Sequence, residues 1–433
     1  IIVQNTLTNV VSLLDNVMVG QVGTVPMSGV SIVNGLLFVF NLCVFGASSG
    51  AGIFTAQFYG SKDDEGIRHT FRFKFLICIV ISLVGAAIFL LGGSSLIGLY
   101  LTGEGDAATA AGALDHGLKY LAIMLWGFLP FALTNTYSST LRETGETFIP
   151  MLGGIAAVFV NLVLNYILIF GKFGAPEMGV EGAAIATDIS QLVSCVLSLR
   201  FLIKSTDDCR VIPREIRLHK KMAARIIRVG LPTGIQNMVI SFSNVLVQAS
   251  VNSYGSAAMA GFAAYMKIDG FNILPVSSIS MAATTFVGQN YGAGRLDRVK
   301  KGTWVTLAVG VVYTLATGAL LLLGQDVIMH LFTNDETVVF FGEAAMHWFC
   351  PFYFLLSILH GLAGAVRGTG ASVPPMVVLL VSLCLFRIVW IQWVLPLFSG
   401  IEGVFILYPV SWALGAGLMI LYAWKGKWME YHA

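Results

Sequence analysis

Long apolar stretches alternate with short polar breaks along this chain, and twelve of the stretches are long enough to cross a bilayer as helices. Breaking them at charge clusters and at Gly, Pro or Asn turns predicts spans at 1–21, 26–57, 70–98, 108–140, 148–170 and 180–203. A second set follows at 223–252, 257–288, 303–324, 336–365, 373–396 and 403–424. The fold expected is therefore all-α and integral to the membrane. Six helices form an N-terminal lobe over residues 1–205 and six a C-terminal lobe over 222–433, joined by a basic cytoplasmic linker over 206–221.

The second set repeats the first. Sliding the chain by 232 positions lays Gln4-Asn5 on Gln236-Asn237, Gly23 on Gly255, Met27 on Met259 and Gly29 on Gly261. Without a gap, Gln57-Phe58-Tyr59-Gly60 then meets Gln289-Asn290-Tyr291-Gly292. At a shift of 225, Leu141-Arg142-Glu143-Thr144-Gly145 meets Val366-Arg367-Gly368-Thr369-Gly370, and Pro150-Met151 meets Pro375-Met376. Repeats of six spans share one topology, so the lobes are expected to be related by a pseudo-twofold axis along the membrane normal, with a substrate path between them and alternating access by rocking. Ala223–Pro232 has no counterpart in the first half, and Ile1 already lies inside an apolar run. The first helix is accordingly expected to begin upstream of Ile1.

Composition excludes a soluble domain. Only 11% of residues are charged and mean hydropathy is +0.81, against about 25% charged in soluble domains. The net charge of +2 carries no nucleic-acid signal, because the basic residues sit in short runs between spans. Those runs set the orientation. Placing both termini inside puts 21 of the 25 Lys and Arg on the cytoplasmic side, nine of them between Arg200 and Arg228. Lys119, Lys172, Lys267 and Arg387 alone fall elsewhere, and the opposite loops are acidic (Glu104, Asp106, Asp115, Asp326, Asp335, Glu336). A bacterial cytoplasmic (inner) membrane suits this pattern. Six scattered cysteines (Cys43, Cys78, Cys195, Cys209, Cys350, Cys384) show no metal-ligand spacing and read as small hydrophobes. No GxSxG, HExxH or nucleotide-binding loop occurs, so the chain is not expected to be an enzyme, and transport would draw on an ion gradient.

A few polar residues interrupt the spans. Asp15 sits in Val10-Val11-Ser12-Leu13-Leu14-Asp15-Asn16-Val17, where an acid costs several kcal/mol unless paired, neutralised or wet. Its repeat partner is Val247, so the fold does not require an acid there. Either it binds a proton or cation, or it reaches the headgroups from a helix end. Asn161 and Asn165 lie four apart on one helix face, opposite the apolar Phe386 and Trp390 of the other half. They read as part of a site or as glue between helices. Small residues in Gly182-Ala183-Ala184-Ile185-Ala186-Thr187 permit close approach and would bring Thr187, with Asp188 beside it, toward that pair. One carboxylate, two carboxamides and a hydroxyl suit Na⁺ or a shared proton. Lys267 and Asp269 are two apart and point to different sides of their helix, and His360 and Arg387 also lie in apolar runs. Each of these four is open between a wet cavity and a buried structural pairing. Asn34, Asn41, Asn135 and Tyr137 are candidates for the substrate cavity.

These motifs together resemble the multidrug and toxic compound extrusion (MATE) family along essentially the whole chain. They are Leu14-Asp15-Asn16-Val17-Met18-Val19-Gly20, Ala56-Gln57-Phe58-Tyr59-Gly60, Asn161-Leu162-Val163-Leu164-Asn165-Tyr166 and the Gly182–Thr187 run. Lys267-Ile268-Asp269-Gly270-Phe271, Gly288–Gly294 and Arg367-Gly368-Thr369-Gly370 complete them. The resemblance implies two six-helix lobes around a central cavity and H⁺- or Na⁺-coupled export of amphipathic, often cationic compounds. It implies a cation site in the N-terminal lobe at Asp15, Asn161, Asn165 and Thr187, with no cofactor and no metal beyond a possible Na⁺. The family commonly has Asp where this chain has Asn165, so the site carries one negative charge fewer and the coupling ion stays open between H⁺ and Na⁺. No acid lies around Ile240, which makes the chain more similar to the DinF-like than to the NorM-like branch. A monomer without nucleic-acid partners is expected, working in the lipid bilayer on small molecules. The alternative reading is a flippase for lipid-linked saccharides of the same superfamily, which would be expected to need a more cationic cavity than Lys267 and Arg387 provide.

Overall fold

A computed structural model describes residues 18–101, 107–204, 220–331 and 333–430. It is built of long helices: α1 (Thr24–Ser61), α2 (Asp64–Leu101), α3 (Ala107–Glu143), α4 (Phe148–Phe170), α5 (Val180–Lys204), α6 (Lys220–Asn252), α7 (Ser256–Gly292) and α8 (Leu296–Leu323). The short α9 (Gln325–His330) leads to α10 (Glu336–Phe349) and α11 (Tyr353–Gly368), which a 3₁₀ turn at Cys350–Phe352 joins into one span broken at Pro351. Then come α12 (Val373–Leu397) and α13 (Glu402–Lys425). Ten segments among the described residues are long and apolar enough to cross a membrane. α6 is a helix of 33 residues that falls short of this apolarity: Lys220, Lys221, Arg225 and Arg228 crowd its first turns, and Gln236, Asn237, Asn244 and Gln248 dilute the apolar run beyond them. The span expected at 1–21 lies almost wholly outside the described residues.

The helices group into two compact units. One takes in residues up to Thr55 together with Asp63–Ile227; the second takes in Ala56–Lys62 and Arg228 onward. Each has an aromatic core. In the first, Phe40 stacks on Phe128 at 3.9 Å over buried Val33, Val44, Ile97 and Ala184. In the second, Tyr265, Phe349, Tyr353, Phe405, Tyr408 and Trp412 pack together. The outer surface is apolar where a soluble protein would be charged: Leu83, Val84, Ile88 and Leu91 on α2 and Trp304, Val305, Val309 and Val312 on α8 are all exposed.

The repeat in the sequence turns out to be a repeat of backbone requirements. Gly23 and Gly255 both have positive φ, 149° and 101°, where α1 and α7 begin. Gly145 and Gly370 do likewise, at 89° and 91°, in the matched turns after α3 and α11. Other residues adopt such angles only with strain. Gly29 lies against the backbone of α3 at Ala113, and its partner Gly261 against α10 at Val338, with no room for a methyl at either. Within the second unit, Gly60 stands on the carbonyl of Gln289 and Gly292 on that of Gln57, so the two copies of the repeated tetrapeptide meet. Gln57 Nε2 also donates to the carbonyl of Gly368 at 2.9 Å. α12 departs from its counterpart α4: two π-helical stretches, Leu380–Leu385 and Trp390–Val394, flank a single α turn carrying Arg387.

Candidate functional site

In the first unit, α4 and α5 approach so closely that Gly182 sits on the backbone of Leu168. This places the polar residues of the two helices in one chain of hydrogen bonds. Asn165 Nδ2 donates to Asn161 Oδ1 at 3.1 Å, Asn161 Nδ2 to Thr187 Oγ1 at 3.3 Å, and Thr187 Oγ1 to the carbonyl of Ala183 at 3.0 Å. Both asparagines are buried, at 3% and 0% exposed, so each of these bonds replaces one that water would have made. Chemically the chain is adaptable. Amide oxygens and a hydroxyl can turn to face a cation, and amide protons can turn to face a carboxylate. Asp15, the carboxylate expected here, lies outside the described residues.

Asp188 does not join this chain. One position along α5 from Thr187, it faces α3, where its carboxylate rests on Gly127 and finds no side-chain partner among the described residues. Of the residues put forward for the cavity, Asn34 and Asn41 are exposed on one face of α1, and Tyr120 Oη donates to Asn34 Oδ1 at 3.4 Å. Asn135 is half-buried, whereas Tyr137 is buried and stacked on Phe71 at 6.1 Å. A further cluster escaped the reading of the sequence. Lys74, fully buried on α2, is salt-bridged to Glu143 of α3, and its Nζ donates to Ser139 Oγ at 3.2 Å and Thr140 Oγ1 at 3.3 Å. The only hint was a lysine a few residues inside an apolar run.

The second unit divides its charges differently. Asp269 is buried and accepts from Tyr265 Oη at 3.1 Å and from Tyr353 Oη, both on Oδ1. Tyr265 is one turn away and could be read from the sequence; Tyr353 is 84 residues on and could not. Arg387 is buried too. Its Nε donates to Ser411 Oγ at 3.2 Å, its Nη1 to Ser243 Oγ at 3.1 Å, and its guanidinium lies 4.5 Å from the ring centre of Tyr408. Lys267 points away from all of this and is exposed. His360 contributes its carbonyl, which accepts from Ser280 Oγ at 2.7 Å, and Ser280 in turn accepts from Arg367 Nη2 at 3.1 Å.

A family model, MatE, matches the chain twice, over residues 1–167 and again over 232–392. The chain belongs to the MatE family. The two matches open at nearly the offset by which the chain repeats itself, so each covers one half of the duplication. Among MatE relatives, a protein of Thermotoga maritima named "Probable multidrug resistance protein NorM" is 28% identical over 98% of this chain and 90% of its own length. Another, of Bacillus subtilis, named "Probable multidrug resistance protein YoeA", is 25% identical over 99% of this chain and 92% of its own. The crystal structure of MATE in the bent conformation matches with a TM-score of 0.87 at 19% identity, covering 97% of this chain and 92% of that one. The fold is thus the twelve-helix, two-lobe MATE architecture, and this MatE protein is a multi-pass membrane transporter, not an enzyme.

Proposed function

We propose that this MatE protein is a secondary active efflux antiporter of a bacterial cytoplasmic membrane, with both termini inside. It would expel amphipathic compounds, cations among them, in exchange for H⁺ or Na⁺. The names of the relatives support export of drugs, and the distribution of Lys and Arg supports the orientation. The observation that carries the coupling is the buried chain Asn165–Asn161–Thr187. It forms a polar thread in an apolar unit, with a repeat counterpart that is apolar. Asp15 would hold the proton or Na⁺, and Asn161, Asn165 and Thr187 would complete the site by exchanging bonds with one another for bonds to the ion. Occupation of the site then repacks the first helix and lowers affinity for the exported compound in the outward-facing state. Efflux of a fluorescent cationic dye from proteoliposomes, under an imposed pH gradient and then an imposed Na⁺ gradient, tests this. Asp15→Asn is expected to abolish gradient-driven movement at unchanged expression. Movement retained in that variant overturns the assignment, and no movement of the wild type under either gradient turns attention to lipid-linked substrates.

A further inference from the structure

Lys267 lies on α7 eleven residues beyond Ser256, about 16 Å along the helix axis. α7 runs on for another 25 residues to Gly292, so Lys267 stands well inside it rather than at an end. It is exposed, and among the described residues it has neither an ion pair nor a hydrogen bond. The carboxylate two positions on, Asp269, is turned into the core and held by two phenols. An ammonium facing the hydrocarbon of a bilayer costs several kcal/mol, whereas one facing water does not. The face around Lys267 is unlike a lipid face. Ala260, Ala263, Gly270 and Ser277 share it at helical spacing, with half-buried Leu274 and Met281 the larger side chains on it, whereas the lipid-type face of α8 carries exposed Trp304, Val305, Val309 and Val312. Beside Gly270 there is open space, with nothing within 4 Å of where a methyl would stand. A face of mainly small residues, with open space beside Gly270 and an unpaired charge on it, is suited to meet water.

We propose that Lys267 is the recognition residue for a negatively charged group, carboxylate or phosphate, on an amphipathic small molecule laid against this face. The ammonium offers three donors to the anionic group. The small residues leave room for a flat apolar body. The proposal rests on the transporter reading and narrows its cargo: compounds that carry an anionic group, zwitterions included, are bound in preference to otherwise identical cations. It does not depend on which ion drives export.

The test is equilibrium binding of a matched pair of probes, a rhodamine with a free carboxylate and its ethyl ester, to the full chain in nanodiscs. Binding to empty discs is subtracted. The wild type is expected to hold the acid roughly tenfold or more tighter than the ester. Lys267→Gln should erase that preference and Lys267→Arg should keep most of it, both melting as the wild type does. Discs of neutral lipid and discs containing phosphatidylglycerol should give the same preference. Equal or absent binding of the two probes by the wild type overturns the proposal, as does a preference that survives in Lys267→Gln. Loss of the preference in phosphatidylglycerol discs would place a lipid headgroup on Lys267 and overturn it as well. A preference for the acid without gradient-driven efflux would instead sink the antiport reading and leave this one standing.

Discussion

Asp188 and Gly127 show how much a single missing methyl can matter here. The carboxylate occupies the space a side chain at 127 would need, so Gly127→Ala must push it aside inside a packed helix pair. A loss of roughly 1–3 kcal/mol is expected, read as a lower melting temperature in detergent. Asp188→Ser in the same molecule should recover most of it; a cycle with no coupling would mean that the two do not touch. The same residue shows what a sequence conceals. Thr187 and Asp188 are neighbours in the chain but about 100° apart on the helix, so one joins α4 and the other faces α3. Asn161 and Asn165 were legible as a pair because helical spacing alone puts them on one face. The phenol of Tyr353 on Asp269 was not, because no local pattern joins residues on separate helices.

Among elements, the helices were legible wherever apolar length decides. Runs of mainly apolar residues became α4, α5 and α13 within one residue of the expected ends, while α2 and α8 begin six and seven residues earlier than expected, through charged first turns. The π-helical stretches of α12 were not, because an extra residue per turn leaves no mark in composition. The repeated glycines give the sharpest check on why the halves resemble each other. If Gly145 and Gly370 recur for their positive φ, alanine at either should cost about 1–2 kcal/mol. Gly92, in the middle of α2 with open space around it, should respond the other way, gaining roughly 0.5–1 kcal/mol as alanine. Melting temperatures of the three single variants decide between a backbone requirement and mere common descent of the sequence; equal shifts at all three would refute the former.

For the whole molecule, orientation is the property that the charge pattern claims and that labelling can check. In a background with the native cysteines replaced by serine, Lys172→Cys should react with a membrane-impermeant thiol reagent in intact cells. Arg298→Cys, exposed in the first turn of α8, should react only after permeabilisation. The reverse result would invert the topology and with it the direction of transport. The two-lobe plan was legible because duplication wrote it twice, and the MatE matches fall on the two copies. How the lobes' few charges are settled was not, since each depends on partners brought from other helices. One of those settlements has a practical use. Lys74 is wholly enclosed, its ammonium taken up by Ser139, Thr140 and Glu143, while lysines such as Lys172 and Lys267 are exposed. An amine-reactive label applied to native protein will pass Lys74 by, so the extent of its modification counts the misfolded molecules in any preparation.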